Sequence, residues 1–231
     1  MLPVLILAGG LGTRLGELAA TIPKSLLDIA GEPFIFHQLR LLKRNEVEKV
    51  FICIGHMGDM IKETVGNGEK FGLNVYYSDD GKELLGTGGA IVNALPMLPD
   101  LFMVLYGDSY LDTNYRNIAK AFLYSGKVAL MTVYKNQNQY DKSNVIFQHG
   151  LVSLYDKHQP NDLMHYIDYG ICCFFKTVFK TSFGKKFDLA SVLTELSAEG
   201  NLAGYEVHNR FFEIGSLQGK ADLENYLARI Q

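Results

Sequence analysis

The segment Leu7-Ala8-Gly9-Gly10-Leu11-Gly12-Thr13-Arg14-Leu15 carries the residue types and spacing best suited to chemistry in this chain. It follows a short apolar run over 3–7 that suits a strand buried on both faces. A glycine-rich turn after such a strand presents backbone N–H groups to a ligand at the carboxyl edge of a sheet. Gly9, Gly10 and Gly12 allow close approach to the backbone, and Arg14 adds a guanidinium fork that matches phosphate. Two common phosphate loops are excluded. GxxxxGK followed by Ser or Thr is absent, and Leu15 stands where a dinucleotide fingerprint needs a third small residue. Lys24, in Pro23-Lys24-Ser25 among Ile22, Leu26 and Leu27, is a second cation near the loop. Two cations beside one glycine cradle are what a triphosphate needs.

The elements that must hold these groups alternate. Strand patterns fall over 3–7, 49–54, 73–77 and 101–106, and helical spacing over 33–44, 59–65 and 88–98, with Pro33 placed to start a helix. That rhythm predicts a parallel sheet with helices on both faces. Beyond it the texture changes to further strands over 128–134, 144–147, 151–155 and 168–175, and helices over 188–199 and 217–230. No linker, repeat or low-complexity tract divides the chain, so the expectation is a single α/β domain over 1–231 with a Rossmann-like, mainly parallel mixed sheet.

Composition bounds the rest. The chain has 231 residues, 48% hydrophobic and 20% charged, ordinary for a folded enzyme and wrong for a disordered chain. A chain of this length buries roughly three-quarters of the surface its unfolded form exposes. Lys plus Arg is 22 against 25 for Asp plus Glu, a net charge of −3, which argues against a nucleic-acid partner. Cys53, Cys172 and Cys173 lie in apolar runs without metal spacing and read as core thiols of a reducing, cytoplasmic compartment. No run approaches the ~18–20 apolar residues of a membrane span. The opening run lacks a basic residue before it and reads as a strand, not a leader. The six histidines show no ligand spacing, although His56 after Gly55 sits where it would line a pocket.

GGxGTRL, then Pro23-Lys24, then Gly31-Glu32-Pro33 resembles the signature of the sugar-1-phosphate nucleotidylyltransferases. The likeness continues through Glu83-Leu84-Leu85-Gly86-Thr87-Gly88-Gly89-Ala90, Tyr106-Gly107-Asp108, Asp156-Lys157, Asp168-Tyr169-Gly170-Ile171 and Glu213-Ile214-Gly215. In detail the pattern is most similar to the heptose-1-phosphate guanylyltransferase branch.

The resemblance implies a nucleotide-diphospho-sugar transferase fold, with a nucleotide-binding half over 1–110 and a sugar-phosphate-binding half over 111–231. It implies transfer of a nucleotidyl group from a nucleoside triphosphate, GTP first, to a sugar 1-phosphate such as a heptose 1-phosphate. The products would be a nucleotide sugar, as for a cell-surface polysaccharide precursor, and pyrophosphate. Both reactants are anions, so catalysis must come from positioning and charge neutralisation. Arg14 would hold the leaving phosphates and Lys24 would neutralise the α-phosphate. Leu7, Ala8, Gly9, Gly10, Gly12, Thr13, Glu83, Gly86, Thr87 and Gly88 would bind the nucleotide, with Glu83 a partner for a guanine N–H edge. Asp108 and Glu213 would hold Mg²⁺, Glu213 standing where the family has Asp. Asp156 (the family has Glu), Lys157, Asp168 and Gly170 would receive the sugar phosphate.

Blander roles stand beside these. Thr87 or Asp108 would cap a following segment, Lys157 would be a loop lysine, and Glu213 a lone strand-edge carboxylate. Another triphosphate (UTP, CTP or dTTP), a non-sugar phosphate acceptor, or a nucleotide-binding regulatory module without turnover are the alternatives. The chain ends soon after the last motif, so a single activity is expected, and a homodimer is left open.

Overall fold

A computed structural model of the protein describes residues 1–10, 21–81, 83–179 and 185–230. In chain order its strands and helices are β1 (Val4–Leu7), β2 (Asp28–Ile29), β3 (Glu32–Pro33), α1 (Phe34–Arg44), β4 (Lys49–Ile54), α2 (Gly58–Val65), β5 (Asn74–Asp79), α3 (Gly86–Ala94), β6 (Leu101–Tyr106) and β7 (Ser109–Tyr110). There follow α4 (Tyr115–Ser125), β8 (Ala129–Lys135), β9 (Val145–Gln148), β10 (Leu151–Tyr155), β11 (Tyr166–Phe175), α5 (Leu189–Ala198), β12 (Leu202–Val207), β13 (Phe212–Glu213) and α6 (Leu217–Ile230). Lys24–Leu26 is a one-turn 3₁₀ helix. No helix among the described residues is long and apolar enough to cross a membrane.

One nine-stranded sheet runs through both halves in the order β5-β4-β1-β6-β11-β8-β12-β10-β9. β5, β4, β1 and β6 are parallel, and β11 enters antiparallel between β6 and β8. The mixed α/β fold is thus the one expected from the strand–helix rhythm. Alternation along β1 shows why: Val4 and Ile6 face one apolar layer with α1, α2 and α4, while Leu5 faces the other with α3 and α5. A third cluster joins α6, through Leu223 and Leu227, to Phe34, Tyr110, Phe212 and Ile214. Cys53, Cys172 and Cys173 are free thiols buried in these layers, and burial pushes each thiol's pKa up.

Several elements lie outside the sequence expectation. Leu202–Val207 forms β12, parallel to β8, and Tyr115–Ser125 forms α4. The ribbon β7–β13 pairs Ser109 with Glu213. β11 begins two residues earlier than expected, at Tyr166, and is broken by a bulge: Asp168 pairs with Val133, yet Cys172 pairs with Met131. The extra residues on β11 leave backbone groups without a ladder partner. Thr132, fully buried, supplies one, its Oγ1 donating to Ile171 O at 2.7 Å and accepting from Ile171 N at 3.1 Å. Gly170 in this bulge has φ +106°, a conformation that disfavours any side chain.

Thr132→Val should therefore strand two buried backbone groups and lower unfolding free energy by about 2–4 kcal/mol, with Thr132→Ser costing about 1 kcal/mol or less. Urea denaturation measures this, and an unchanged midpoint for the valine variant would show that the hydroxyl does not hold the bulge.

Candidate functional site

Four parallel strands, β5, β4, β1 and β6, end on one rim, and the chain beyond three of these ends lines a cavity of about 410 Å³. Leu7, Ala8, Gly9 and Gly10 come from β1 and its loop, Asp80 follows β5, and Tyr106, Gly107 and Asp108 end β6. Gly107 must be glycine here, because a Cβ would stand 2.6 Å from Leu7 O. That close approach lets Gly107 N donate to Leu7 O at 3.0 Å and sets Asp108 beside the loop. Lys24 and Ser25 enter from the 3₁₀ turn, and Gly86, Thr87 and Asp188 close the far wall.

The charged pair at this rim is Lys24 Nζ to Asp108 Oδ2, 3.2 Å, with side chains 15% and 25% exposed. Of the residues singled out in sequence, Leu7, Ala8, Gly9, Gly10, Lys24, Gly86, Thr87 and Asp108 all line this cavity. Gly12, Thr13 and Arg14 lie outside the described residues.

Other residues sit differently from the sequence expectation. Glu83 is exposed and does not line the cavity, and neither does His56. Gly88 is packed against Phe187, whose ring would lie 2.2 Å from an added Cβ. Thr87 lies inside α3, and its hydroxyl accepts from Leu189 N at 2.8 Å, capping α5 in place of its own helix. Glu213 lines a second cavity of about 510 Å³ with Tyr140, Arg210 and Ser216. Its strand still lies against Asp108, since Ile214 N donates to Asp108 O at 2.9 Å. No group of three or more His, Cys, Asp or Glu able to hold a metal occurs among the described residues. Asp108 lines the first cavity and Glu213 the second, so the two carboxylates expected to share a metal face different cavities.

In the second half, Asp168 Oδ1 accepts from Gly170 N at 2.9 Å, so the carboxylate folds onto its own bulge. Burial pushes the Asp168 carboxyl up to about 6, opposed by that N–H and by the positive charge of Lys157. Lys157 itself is exposed. Asp156 accepts from Gln159 N and His158 N, which hold its carboxyl below the usual range. A Cβ on Gly170 would lie 3.2 Å from Leu111 and 3.7 Å from Tyr106, so the bulge abuts a residue that lines the first cavity.

Sequence reading missed Asp80 and Asp188. Asp80 carries a related signal, a carboxylate just past the end of a parallel strand, as Asp108 is one residue further past the end of β6. Asp188 had no local signal, because the fold brings α5 against α3 from far along the chain. Burial pushes the Asp80 carboxyl up to about 6, with an Asn93 hydrogen bond opposing and the Asp79 charge adding to it. The folded protein thus keeps this proton to about pH 6, and the unfolded chain only to about pH 4. Stability contributed at this site falls as pH rises through that window. Asp80→Asn should match the wild-type melting temperature near pH 4 and exceed it above pH 6, as read by thermal unfolding across pH. A constant difference at all pH values would contradict the buried charge.

Residues 3–217 match the family model described as nucleotidyl transferase. The chain is 33% identical over 142 residues to the D-glycero-alpha-D-manno-heptose 1-phosphate guanylyltransferase of Campylobacter jejuni subsp. jejuni serotype O:2, covering 62% of this chain and 61% of that protein. It is 38% identical over 112 residues to the N-acetylmuramate alpha-1-phosphate uridylyltransferase of Neisseria meningitidis serogroup B, covering 48% of each. The matched stretch thus spans less than two thirds of these relatives. The crystal structure of HddC from Yersinia pseudotuberculosis complexed with GMP-PN superposes with a TM-score of 0.80 at 23% identity, covering 98% of this chain and 100% of that one. A sheet whose strand ends gather a glycine loop, a lysine and an aspartate, with a family match over nearly its whole length, makes this chain a member of the nucleotidyl transferase family.

Proposed function

We propose that the protein transfers a nucleotidyl group from a nucleoside triphosphate, GTP first, to a sugar 1-phosphate and releases pyrophosphate. The observation that carries this reading is the Lys24–Asp108 pair at the mouth of a cavity with a glycine-lined wall. The names of the similar proteins support it, one a heptose 1-phosphate guanylyltransferase and another a structure complexed with GMP-PN. A heptose 1-phosphate is accordingly the first acceptor to test.

The reaction joins two anions, so the residues must lower charge repulsion where the bond forms. Backbone N–H groups of the Gly9–Gly10 turn would face the phosphates, and Arg14 would hold the β- and γ-phosphates that leave as pyrophosphate. Lys24, held by Asp108, would neutralise the α-phosphate as the sugar-phosphate oxygen attacks it. Lys157, Asp168 and Gly170 would place that oxygen, Gly170 because its bare Cα leaves room beside Tyr106. Asp156, engaged with its own turn, would shape the approach of Lys157.

Asp108 at the rim is the carboxylate that would hold a hard divalent cation, because Mg²⁺ is commonly bound through one or two carboxylates plus substrate phosphates; Glu213 would join it only by turning from the second cavity, which it lines. When bound, Mg²⁺ would supply charge neutralisation on the phosphate oxygens. Asp108 would orient Lys24 and hold the metal at the same rim.

Incubation of the protein with GTP, Mg²⁺ and a panel of sugar 1-phosphates should release pyrophosphate. Lys24→Ala and Asp108→Asn should each reduce that rate by about 100-fold or more with thermal unfolding still cooperative. Chelation of the metal should do the same to the wild type. Full turnover in both variants would refute the site, and nucleotide binding without pyrophosphate release under any acceptor would leave a binding module.

A further inference from the structure

We propose that Gln38 is a positioning residue of the catalytic rim, an amide clamp by which α1 holds the turn carrying Asp108 at its distance from Lys24. The inference rests on the reading above and adds to it a residue that lines neither cavity. Gln38 is polar yet only 1% exposed, in the middle of α1. Its Nε2 donates to Tyr106 O at 2.9 Å and to Ser109 O at 2.7 Å. Gly107 and Asp108 are the residues between those two carbonyls, so one nitrogen holds both sides of the turn.

Chemistry fixes which way this amide points. The NH₂ carries two donors and both are used, whereas the reversed amide would set Oε1 against two carbonyl oxygens. As it stands, Oε1 is buried without a hydrogen-bond partner. An unpaired buried acceptor is costly, and the fold carries that cost where both donors are engaged. The register of β6 with β11 ends at Leu105, and Gln38 takes up the carbonyl of the next residue. Gly107 N to Leu7 O and Ile214 N to Asp108 O tie the same turn to β1 and β13. Among the described residues, the two Gln38 bonds are the hydrogen bonds that tie it to α1.

The same helix holds the other member of the charged pair. Phe34 lies one turn before Gln38 on the same face of α1. Its N–H donates to Leu27 O at 2.9 Å, and Leu27 N donates to Lys24 O at 3.1 Å. His37 Nε2 lies 2.9 Å from Ile29 O, which fixes the β2–β3 ribbon between the Lys24 turn and the helix. Bonds thus run from Lys24 through Leu27, Phe34 and Gln38 to the Asp108 turn, and the circuit closes at the 3.2 Å Lys24–Asp108 contact. Gln38→Met keeps the length and the burial of the side chain and removes both donors. The turn would then shift against α1, and a misplacement of about 1 Å at a reacting group costs up to about 100-fold in rate.

The test measures pyrophosphate release by the full chain from GTP in Mg²⁺ with the panel of sugar 1-phosphates, for wild type, Gln38→Met, Asp108→Asn and the double variant. Gln38→Met should lower kcat about 10- to 100-fold and change KM for GTP by less than about 3-fold, with thermal unfolding cooperative and complete only above the assay temperature. In the Asp108→Asn background the same substitution should cost less than about 3-fold, because the position it sets is no longer used. A purely structural role would instead lower the rate by the same factor in both backgrounds. Gln38→Asn keeps a buried amide one methylene too short for both carbonyls, and it should show the same pattern if the methionine variant does not fold. An unchanged kcat in a folded variant, equal losses in the two backgrounds, or failure of both variants to fold overturns the assignment and leaves the transferase reading intact. A wild type that releases no pyrophosphate with any acceptor of the panel removes that reading and this inference with it.

Discussion

A sheet covered by helices on both faces has one place to expose polar chemistry, the ends of its strands. Here four parallel strands end together, and the two nearest the middle of the sheet, β1 and β6, carry no charged residue, their side chains alternating between two buried layers. Lys24 and Asp108 meet at that rim with most of their surface shielded. Removing one member of such a pair leaves the other charge without compensation at a rim that lines the cavity. The glycine loop, the β6 terminus and the α3 entry take their positions from this same edge.

The second half reaches the rim through an irregularity. β11 lies antiparallel against β6, and its bulge at Asp168-Tyr169-Gly170 brings Gly170 beside Tyr106, a residue of the cavity wall. A regular strand would carry these residues past the rim in strict alternation. The fully buried Thr132 hydroxyl makes the departure tolerable by replacing the missing ladder bonds. The irregular part of the β11 ladder thus lies where the second half of the chain meets the wall of the first cavity.

Much of the fold was legible because its strands are short apolar runs. Residues 49–54 and 101–106 were bounded as β4 and β6 are, since a doubly buried strand must be continuously apolar. Among the elements that escaped, β12 and α4 did so for different reasons. β12 contains Gly204 and half-exposed Tyr205 and Glu206, so its pattern is weak; the glycine is needed because Phe147 would lie 2.4 Å from a Cβ there. α4 did carry a signal: Asn114 accepts from Asn117 N as an N-cap, apolar residues recur at 115, 118, 119 and 122, and Gly126 ends it with φ +67°. At the site, residues adjacent in sequence to glycine motifs were found, whereas Asp188 and the outward turn of Glu83 depend on contacts between distant elements.

The β7–β13 ribbon stitches the strand following Asp108 to one near the far end of the described chain, and α6 seals it through Phe212 and Ile214. A Cβ on Gly219, in α6, would fall 1.9 Å from the backbone oxygen of Glu213, so helix and ribbon are in direct contact. The strand beside Asp108 is thus anchored by the last helix of the described chain, so loosening α6 would reach the rim without altering any residue that lines the first cavity.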